Sequence, residues 1–477
     1  MEHENISKIQ EHYLSEYGKR QIYLKKYFDN DKTIVPVYQR TSASPLKDAT
    51  HTNLHTNFFT DIINRKVGYS GQDITYNINT ELIENESLIS KTSVMLKKME
   101  RATKQATMNS QSIQKAAVAG ISHRLCYTED GVFKIKNLEA EQVVYDYDND
   151  IFSSNAAYYF YSTTDLEGDT SDYCNVYDDT NVYYYIKSKK DANGSKQIAQ
   201  SAKTGGASYV PHNPDGSESN VQPHNFSQVP VIPFLNNTDW KSECEDSVDL
   251  MDVYDEIISD TAGELKAARL AYLKIWGDIY TGEDADGNPI EVPDYLREFG
   301  TLLFGKDEMG NDLGDASFLE KTIDDTAVMN MKNTLRQSIY EVSGSIDLKD
   351  LTEASSARVF TVKAALMRLE NSSKTTENLV KMALYKQLEL WTEVESTVSQ
   401  ISIDSEWFDI TFRRNFIEDV EAQAETLSKL INTMSQKDAY RIAGFEDSTG
   451  LAERYQEYIN DGIIIPDREE DIDEPTI

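Results

Sequence analysis

The sequence predicts an α+β chain built from several modules, on three observations. Residues 122 to 187 are rich in Tyr, Val and Phe and carry turn signals, Glu129-Asp130-Gly131 within them and Asp191-Ala192-Asn193-Gly194 just after, which is the composition of an antiparallel sheet. Two stretches, about 242–268 and 325–343, space their apolar residues by three and four, the period of a helix with one buried face. Helical residues then continue from Ser355 to about Val398, beyond the usual helix length. A chain of 477 residues is too long for one compact core, so two to four modules are expected.

Taken in order, residues 5 to 29 place Ile6, Ile9, Tyr13, Tyr17 and Tyr23 at helical spacing, and a second helix is expected near Thr56 to Val67. Asp73 to Ile78 alternates as a strand, and helical patterning runs from about Glu84 to Gly120. In the sheet region the aromatic pattern sits on Tyr158, Tyr159, Tyr161 and Tyr183 to Tyr185. Residues 188 to 228 fill with Gly, Ser, Asn, Pro and Lys and read as a long exposed loop. Val229 to Asn237 reads as an edge strand, because its prolines cannot donate to a ladder on both sides.

The helix expected from Ser242 to Ala268 has a stripe of Leu250, Val253, Tyr254, Ile257 and Leu265, and its remaining positions are strongly acidic. Leu270 to Lys321 reads as a small inserted module with strand-prone pieces at 270–280 and 301–304. The helix after it has Val328, Met331, Leu335, Ile339 and Val342 at spacings of three and four. After the polar break Gly344–Ala354 and the long helix, Ile410 to Phe412 gives a brief strand, and residues from Glu418 read as three short helices stopped by Gly444 and Gly462. The tail from Asp467 to Glu474 is acidic.

Composition narrows the function. With 81 Asp and Glu against 47 Lys and Arg the formal net charge is -34, a surface that repels polyphosphate and argues against tight nonspecific DNA binding. Cys126, Cys174 and Cys244 are few, odd in number and widely spaced, which excludes a disulfide framework and a Cys-x-x-Cys site and points to synthesis in a reducing compartment. No signal-like or membrane-length apolar run is present, so neither secretion nor membrane insertion is expected.

Motifs of chemistry fail on inspection. Gly300 to Asp307 nearly matches a phosphate-binding loop, but Asp307 replaces the hydroxyl that holds magnesium, and its carboxylate would repel phosphate. Asp284, Asp286 and Asn288 imitate the start of a calcium loop, yet Pro289 and Tyr295 occupy the required Gly and Glu positions. Asp146, Asp148 and Asp150 alternate in the same way without the matching Gly and Glu. His51 and His55 could share a helix face but lack the intervening Glu and a third ligand. The expectation is a chain without catalytic residues, metal or cofactor.

In order, these parts resemble the portal proteins of tailed bacteriophages, in particular the group with subunits of this size common in phages of Gram-positive hosts. The resemblance is carried by Asn57 to Tyr69 with Gly71 and Ile74-Thr75-Tyr76, by His224-Asn225-Phe226 and Val229 to Asn237, and by the acidic helix with Asp252, Tyr254, Asp255 and Ser259-Asp260 followed by a strand-containing insertion and a second helix.

The resemblance implies a portal-type subunit with an α/β wing, a two-helix stem, a small β-containing clip, a long wing helix and a helical crown. Residues 1–241 would be the N-terminal part of the wing, 242–268 the first stem helix, 269–323 the clip and 324–343 the second stem helix. Residues 344–355 would be the channel loop, 356–415 the C-terminal part of the wing, and 416–477 the crown and tail. It further implies a ring, typically of twelve subunits, at one capsid vertex of the virion, assembled in the host cytoplasm. Double-stranded DNA would pass through it, and its partners would be the terminase large subunit, head-to-tail connector proteins, and major capsid and scaffolding proteins.

An acidic channel wall suits passage, since strong cationic binding would trap a sliding polyanion. Lys332 and Arg336, four apart on the second stem helix, and Lys349 in the channel loop are the candidate phosphate contacts. The competing reading has Lys332 and Arg336 paired with acids of the neighbouring helix or subunit, as exposed charges at this spacing usually are. Two other functions stay open at this point: another ring-forming capsid or connector protein, and an enzyme whose site one sequence does not reveal.

Overall fold

The computed structural model describes residues 6–31, 54–70, 73–83, 85–166, 168–187, 209–214, 219–268, 272–277, 279–280, 303–304, 314–319, 325–347, 367–413, 427–430, 435–442 and 455. The chain is a mixed helix-and-strand protein. Its contacts divide it into two units, residues 1–354 with 365–413, and residues 355–364 with 414–477.

In the first unit the N-terminal helical stretch is α1 (Ile6–Tyr13) and α2 (Lys19–Phe28), joined without a break by a π-helical turn at Leu14–Gly18. α3 (Phe58–Ser70) leads to β1 (Asp73–Ile78). The single helix expected over 84–120 is instead two, α4 (Glu86–Thr103) and α5 (Gln105–Ala119). Asn85 caps α4 by accepting from the Ser87 and Leu88 amides, and Lys104 ends it in the left-handed region at φ 50. The break turns the Gln105 and Asn109 side chains onto the Tyr76 hydroxyl, at 2.9 and 3.0 Å. A continuous apolar period cannot signal such a turn, because its cause lies on a strand elsewhere.

The region expected to form one sheet forms parts of two. β2 (Ile121–Glu129) and β3 (Val132–Leu138) make a hairpin whose two loop residues, Asp130 and Gly131, both have positive φ, as a tight primed turn requires. β10 (Val231–Leu235) pairs with β2 only, so Pro233 faces no missing ladder bond, as an edge position demands. The second sheet orders β4 (Val143–Asp146), β5 (Ala156–Thr164), β6 (Thr170–Tyr177), β7 (Asn181–Lys187) and β8 (Tyr209–Pro211), with β9 (Val221–Pro223) also on β7. Thus the described part of the expected 188–228 loop, residues 209–214 and 219–228, carries two short strands.

The two-residue period of a strand divides the tyrosines of this sheet between its faces. Tyr159 and Tyr177 pack with Leu125, Leu138 and Val231 toward the first sheet, while Tyr158, Phe160 and Tyr185 pack with Ile6 of α1 on the other side. Further along the chain, α8 (Met367–Ser399) lies against β10, and Ile232 and Phe234 beneath it are fully buried. Each such side chain contributes roughly 1.5–3 kcal/mol of hydrophobic stabilisation. β15 (Phe408–Arg413) pairs antiparallel with β1, joining two segments more than 300 residues apart. Cys126, Cys174 and Cys244 are buried free thiols.

Residues 242–247 do not join the expected helix: a short 3-10 turn at Glu245–Ser247 precedes α6 (Val248–Ala268). Next come β11 (Tyr272–Gly277), β12 (Ile279–Tyr280), β13 (Leu303–Phe304) and β14 (Gly314–Leu319), paired as β11 with β14 and β12 with β13. The strand at 314–319 had no expectation in the sequence. α7 (Asp325–Val342) follows. In the second unit residues 427–430 are helical, and α9 (Gln436–Ile442) is started by Ser435, whose hydroxyl accepts from the Asp438 amide. Gly444, Gly462, His51, the calcium-like Asp284–Asn288 and the acidic tail lie outside the described residues.

Candidate functional site: the paired helices and their anchors

α6 and α7 lie side by side, with the four short strands between them along the chain. The Phe58 ring of α3 meets the Tyr254 ring of α6 at 5.0 Å and the Tyr340 ring of α7 at 5.7 Å, both edge-on. Val248, Met251, Tyr254, Leu335, Ile339 and Tyr340 are the buried apolar residues there. The expected stripes are therefore rotated: Val253 is 39% exposed, and Met331 and Val342 about half exposed. On α6 the rotation has a polar cause, because Asp255 and Ser259 occupy core-facing positions and are buried.

Those two residues hold the chain that leads into α3. The Thr56 amide and hydroxyl donate to Asp255 Oδ1 at 2.9 and 2.5 Å, and His55 Nδ1 approaches Asp255 Oδ2 at 3.5 Å. The Ser259 hydroxyl accepts from the Leu54 amide at 2.9 Å and donates to the Leu54 carbonyl at 3.2 Å. One turn earlier the Tyr27 hydroxyl donates to Asp252. Burial pushes the Asp255 carboxyl above its ordinary range against the opposing pull of Thr56 and His55, and burial likewise raises Asp252. Part of the acidity of this helix is thus used within the subunit.

A second anchor precedes the helix. The Lys66 ammonium, 1% exposed, donates to Glu243 Oε2 at 2.5 Å, Asn236 Oδ1 at 2.9 Å and Ser372 Oγ at 3.1 Å. Ser372 donates to the other oxygen of Glu243 at 2.7 Å, and Thr376 donates to the Asn236 carbonyl at 2.8 Å. Three of an ammonium's donors and both carboxylate oxygens are thereby satisfied, which a buried pair needs in order to hold. α3, the end of β10, the approach to α6 and the long helix α8 meet at this point.

Of the three candidate channel cations, Arg336 forms a two-pronged pair with Asp347, at 2.5 and 2.8 Å. Its partner lies on neither the neighbouring helix nor another subunit: the chain turns back at Gly344, φ 67, and brings Asp347 beside its own helix. The pair raises the Arg336 guanidinium further above its ordinary value. Lys332, one turn earlier and half-buried, has no ion-pair partner among the described residues. Lys349 lies outside the described residues. The near-phosphate loop at 300–307 is described only at Leu303 and Phe304, which form a strand rather than the turn between a strand and a helix. Asp150 caps a short turn by accepting from the Phe152 amide.

The profile of the family described as phage portal protein, SPP1 Gp6-like, matches residues 4–462. The chain belongs to that family. Among curated proteins, the portal protein of Bacillus phage SPP1 is 33% identical over 221 residues, 46% of this chain. The match spans 39% of that relative's length. Two solved structures resemble the fold: the neck of an empty GTA particle computed with C6 symmetry, with TM-score 0.45, 10% identity and coverage of 88% of this chain and 99% of that one, and the neck of a native GTA particle computed with C12 symmetry, with TM-score 0.39, 12% identity and coverage of 81% and 91%.

With the family in hand, the residues that carried the resemblance acquire physical roles. Lys66, Asn236, Asp252, Asp255 and Ser259 are anchors that tie the paired helices to the rest of the subunit. Sequence reasoning missed Glu243, Ser372 and Asp347 as partners. Asp347 had a weak signal, an acid just beyond a helix-ending Gly that follows a lone Arg, whereas Glu243 and Ser372 had none, since each is one polar residue among many.

Proposed function

We propose that this chain is the portal subunit of a tailed phage: copies form a closed ring, of about twelve by analogy with the family, at one vertex of the capsid. Double-stranded DNA enters and leaves through its bore. The family match over nearly the whole chain carries the reading. In it, residues 1–241 with 356–415 form the wing, 242–268 and 324–343 the stem, 269–323 the clip, 344–355 the channel loop and 416–477 the crown. The paired helices rooted by Phe58, Tyr254 and Tyr340 support the stem assignment, because a rod that must stand beside its copies needs a rigid base.

The subunit is noncatalytic in this reading, and a separate ATPase, the terminase, supplies the energy for DNA movement. Terminase, the head-to-tail connector, and the major capsid and scaffolding proteins dock on the ring. It is built in the host cytoplasm and ends in the virion. Among the described residues no helix is long and apolar enough to cross a membrane. Lys332 and Lys349 touch phosphates transiently, and Arg336 does so less, because Asp347 engages its guanidinium from within the subunit.

The test is native mass measurement with negative-stain microscopy of the purified full-length chain. A closed ring with a bore wide enough for B-form DNA is expected, and a persistent monomer or a narrower bore overturns the proposal. For the contacts, Lys332→Glu and Lys349→Glu should alter packaging or DNA retention more than Arg336→Gln does. Unchanged packaging in both lysine variants removes them from the channel wall. ATPase or nuclease turnover by pure protein, abolished by a point change, would assign an enzyme instead.

A further inference from the structure

Two adjoining hollows of about 250 and 340 Å³ lie between β1 and α4. Tyr76 and Glu100 line both, so the two form one groove. Along α4 and its C-cap the lining residues Ile89, Ser93, Lys97, Glu100 and Lys104 recur every three or four positions, which is one stripe of a helix. On the strand, Tyr76, Asn77 and Ile78 line the groove in succession. Successive strand side chains point to opposite faces, so three in a row mean that the strand meets the groove with its edge.

That edge is open. Among the described strands β1 pairs with β15 alone, and no described residue of β15 lines the groove, which therefore follows the other edge. Alternate N–H and C=O groups of β1 are left outside any ladder there. The two walls also match in length. The six residues of β1 extend ~20 Å, and Ile89 to Lys104 extend ~22 Å along the helix axis. The space thus has the length of one short strand laid between a strand edge and a helix, an arrangement that receives extended peptides.

Side chains decide what kind of strand fits. Ile74, Ile78 and Leu96 pack on the main core and give the groove an apolar floor. Lys97, Arg101 and Lys104 line its α4 side, are exposed, and form no ion pair among the described residues. Glu100 is the single carboxylate among the described lining residues, half-buried and pushed up by burial against the pull of Lys97. From Lys91 to Lys104 the sequence holds five cations and that one acid, the reverse of the balance in a chain of net charge -34. At the far wall, Arg413 stands opposite Asp73 in the β1–β15 ladder, and Asp409 is held by Lys381 and Tyr385. A basic segment would be repelled by this rim. A DNA duplex, a rod too wide to lie between a strand and a helix, would touch the cations and leave the strand edge and apolar floor unused.

We propose that the groove between β1 and α4 is a docking site for an extended acidic segment of a partner protein, which adds to the open edge of β1 as a third strand. Its apolar side chains rest on Ile74, Ile78 and Leu96, and its carboxylates meet Lys97, Arg101 and Lys104. All of these residues belong to one subunit, so the site stands or falls independently of the ring.

The probe is a fluorescein-labelled peptide, Gly-Glu-Val-Asp-Val-Glu-Val-Gly-amide, titrated by polarisation against the full-length chain. One counterpart carries Gln and Asn in place of its acids, and another is N-methylated at its six central residues. The acidic peptide should bind about tenfold tighter than the neutral one, the combined weight of three exposed ion pairs. The N-methylated peptide keeps the charges and loses the donors of a ladder, so it should not bind measurably. Lys97→Gln and Arg101→Gln, both at exposed positions, should each weaken the acidic peptide several-fold without changing the melting temperature. Equal binding of the acidic peptide and either counterpart, or no binding of any, overturns the proposal. So does displacement of the peptide by a short DNA duplex whose own binding falls in the Arg101→Gln variant, which would make the rim a phosphate surface. A change in particle mass in the two variants without peptide would make a second copy of this chain the occupant, and would also overturn it.

Discussion

Arg124 of β2 and Gln387 of α8 stand 263 residues apart in the chain, yet the guanidinium of one donates to the side-chain oxygen of the other at 2.6 Å. Arg124 is fully buried and each of its five N–H groups has a neutral acceptor. Nε reaches Asn137 at 3.0 Å, Nη1 also reaches Asn109 at 2.9 Å, and Nη2 reaches the Met108 carbonyl and Ser112, both at 2.8 Å. The Phe234 ring lies 4.4 Å from the guanidinium carbon. Burial lowers its pKa to about 10, which still leaves it charged at neutral pH. A cation without a carboxylate is held by dipoles alone, so the long helix, the first sheet and α5 are locked to one geometry.

Arg124→Lys should therefore behave as a disruptive change. Three donors on a point charge cannot serve five acceptors in a fixed fork, and each acceptor left dry costs about 1–3 kcal/mol. Gln387→Ala removes one acceptor and should cost less. Urea unfolding of both and of the double variant will show whether they couple, as side chains in one network do. Additive losses would mean that the contact does not hold the helix.

At the Lys66–Glu243 node, Lys66→Met should lower stability by roughly 3–5 kcal/mol, because it leaves a carboxylate buried with its partner gone. Adding Glu243→Gln should recover part of that loss, since the amide keeps an oxygen for Ser372 and carries no charge. Thermal melts at one protein concentration will decide. A double variant no more stable than the single one would show that packing, not the stranded charge, sets the cost.

Burial of His123 should make the subunit acid-sensitive. Its folded pKa of about 4 lies below the ordinary imidazole value, so between the two the unfolded chain binds the extra proton and the folded one does not. Stability from this group is complete above the unfolded pKa and is lost as pH falls through that window, by roughly 3 kcal/mol at about 1.4 kcal/mol per pH unit. His123→Gln should be less stable at neutral pH but flatter between pH 6.5 and 4 in denaturant titrations. An unchanged slope would assign the acid sensitivity to other groups.

Asp255 gives the opposite sign. Its carboxyl is raised in the folded state, so folding takes up a proton just above the unfolded pKa, and the group's contribution falls as pH rises through the folded value. What the fold requires here is an oxygen to accept from Thr56, not the charge. Asp255→Asn should then be tolerated far better than Asp255→Ala, which leaves the Thr56 amide without its partner at about 1–3 kcal/mol. Equal melting temperatures for the two variants would contradict this.

By itself the sequence determined what depends on neighbours along the chain. The turn at Asp130-Gly131, the strand at Asp73–Ile78, the edge character of the Pro233 strand, the helix at 325–342 and the mixed fold class all follow from local spacing and turn chemistry, which repeat over a few residues. The order of parts was sufficient to suggest the family. Only the tertiary structure decided the division of the 84–120 helix at Lys104, the pairing of β1 with β15, the rotation of the α6 stripe toward Asp255 and Ser259, and the engagement of Arg336 by Asp347. Each of these is set by a partner that one-dimensional spacing does not encode. A buried polar group takes whichever partner the packed chain brings within about 3 Å.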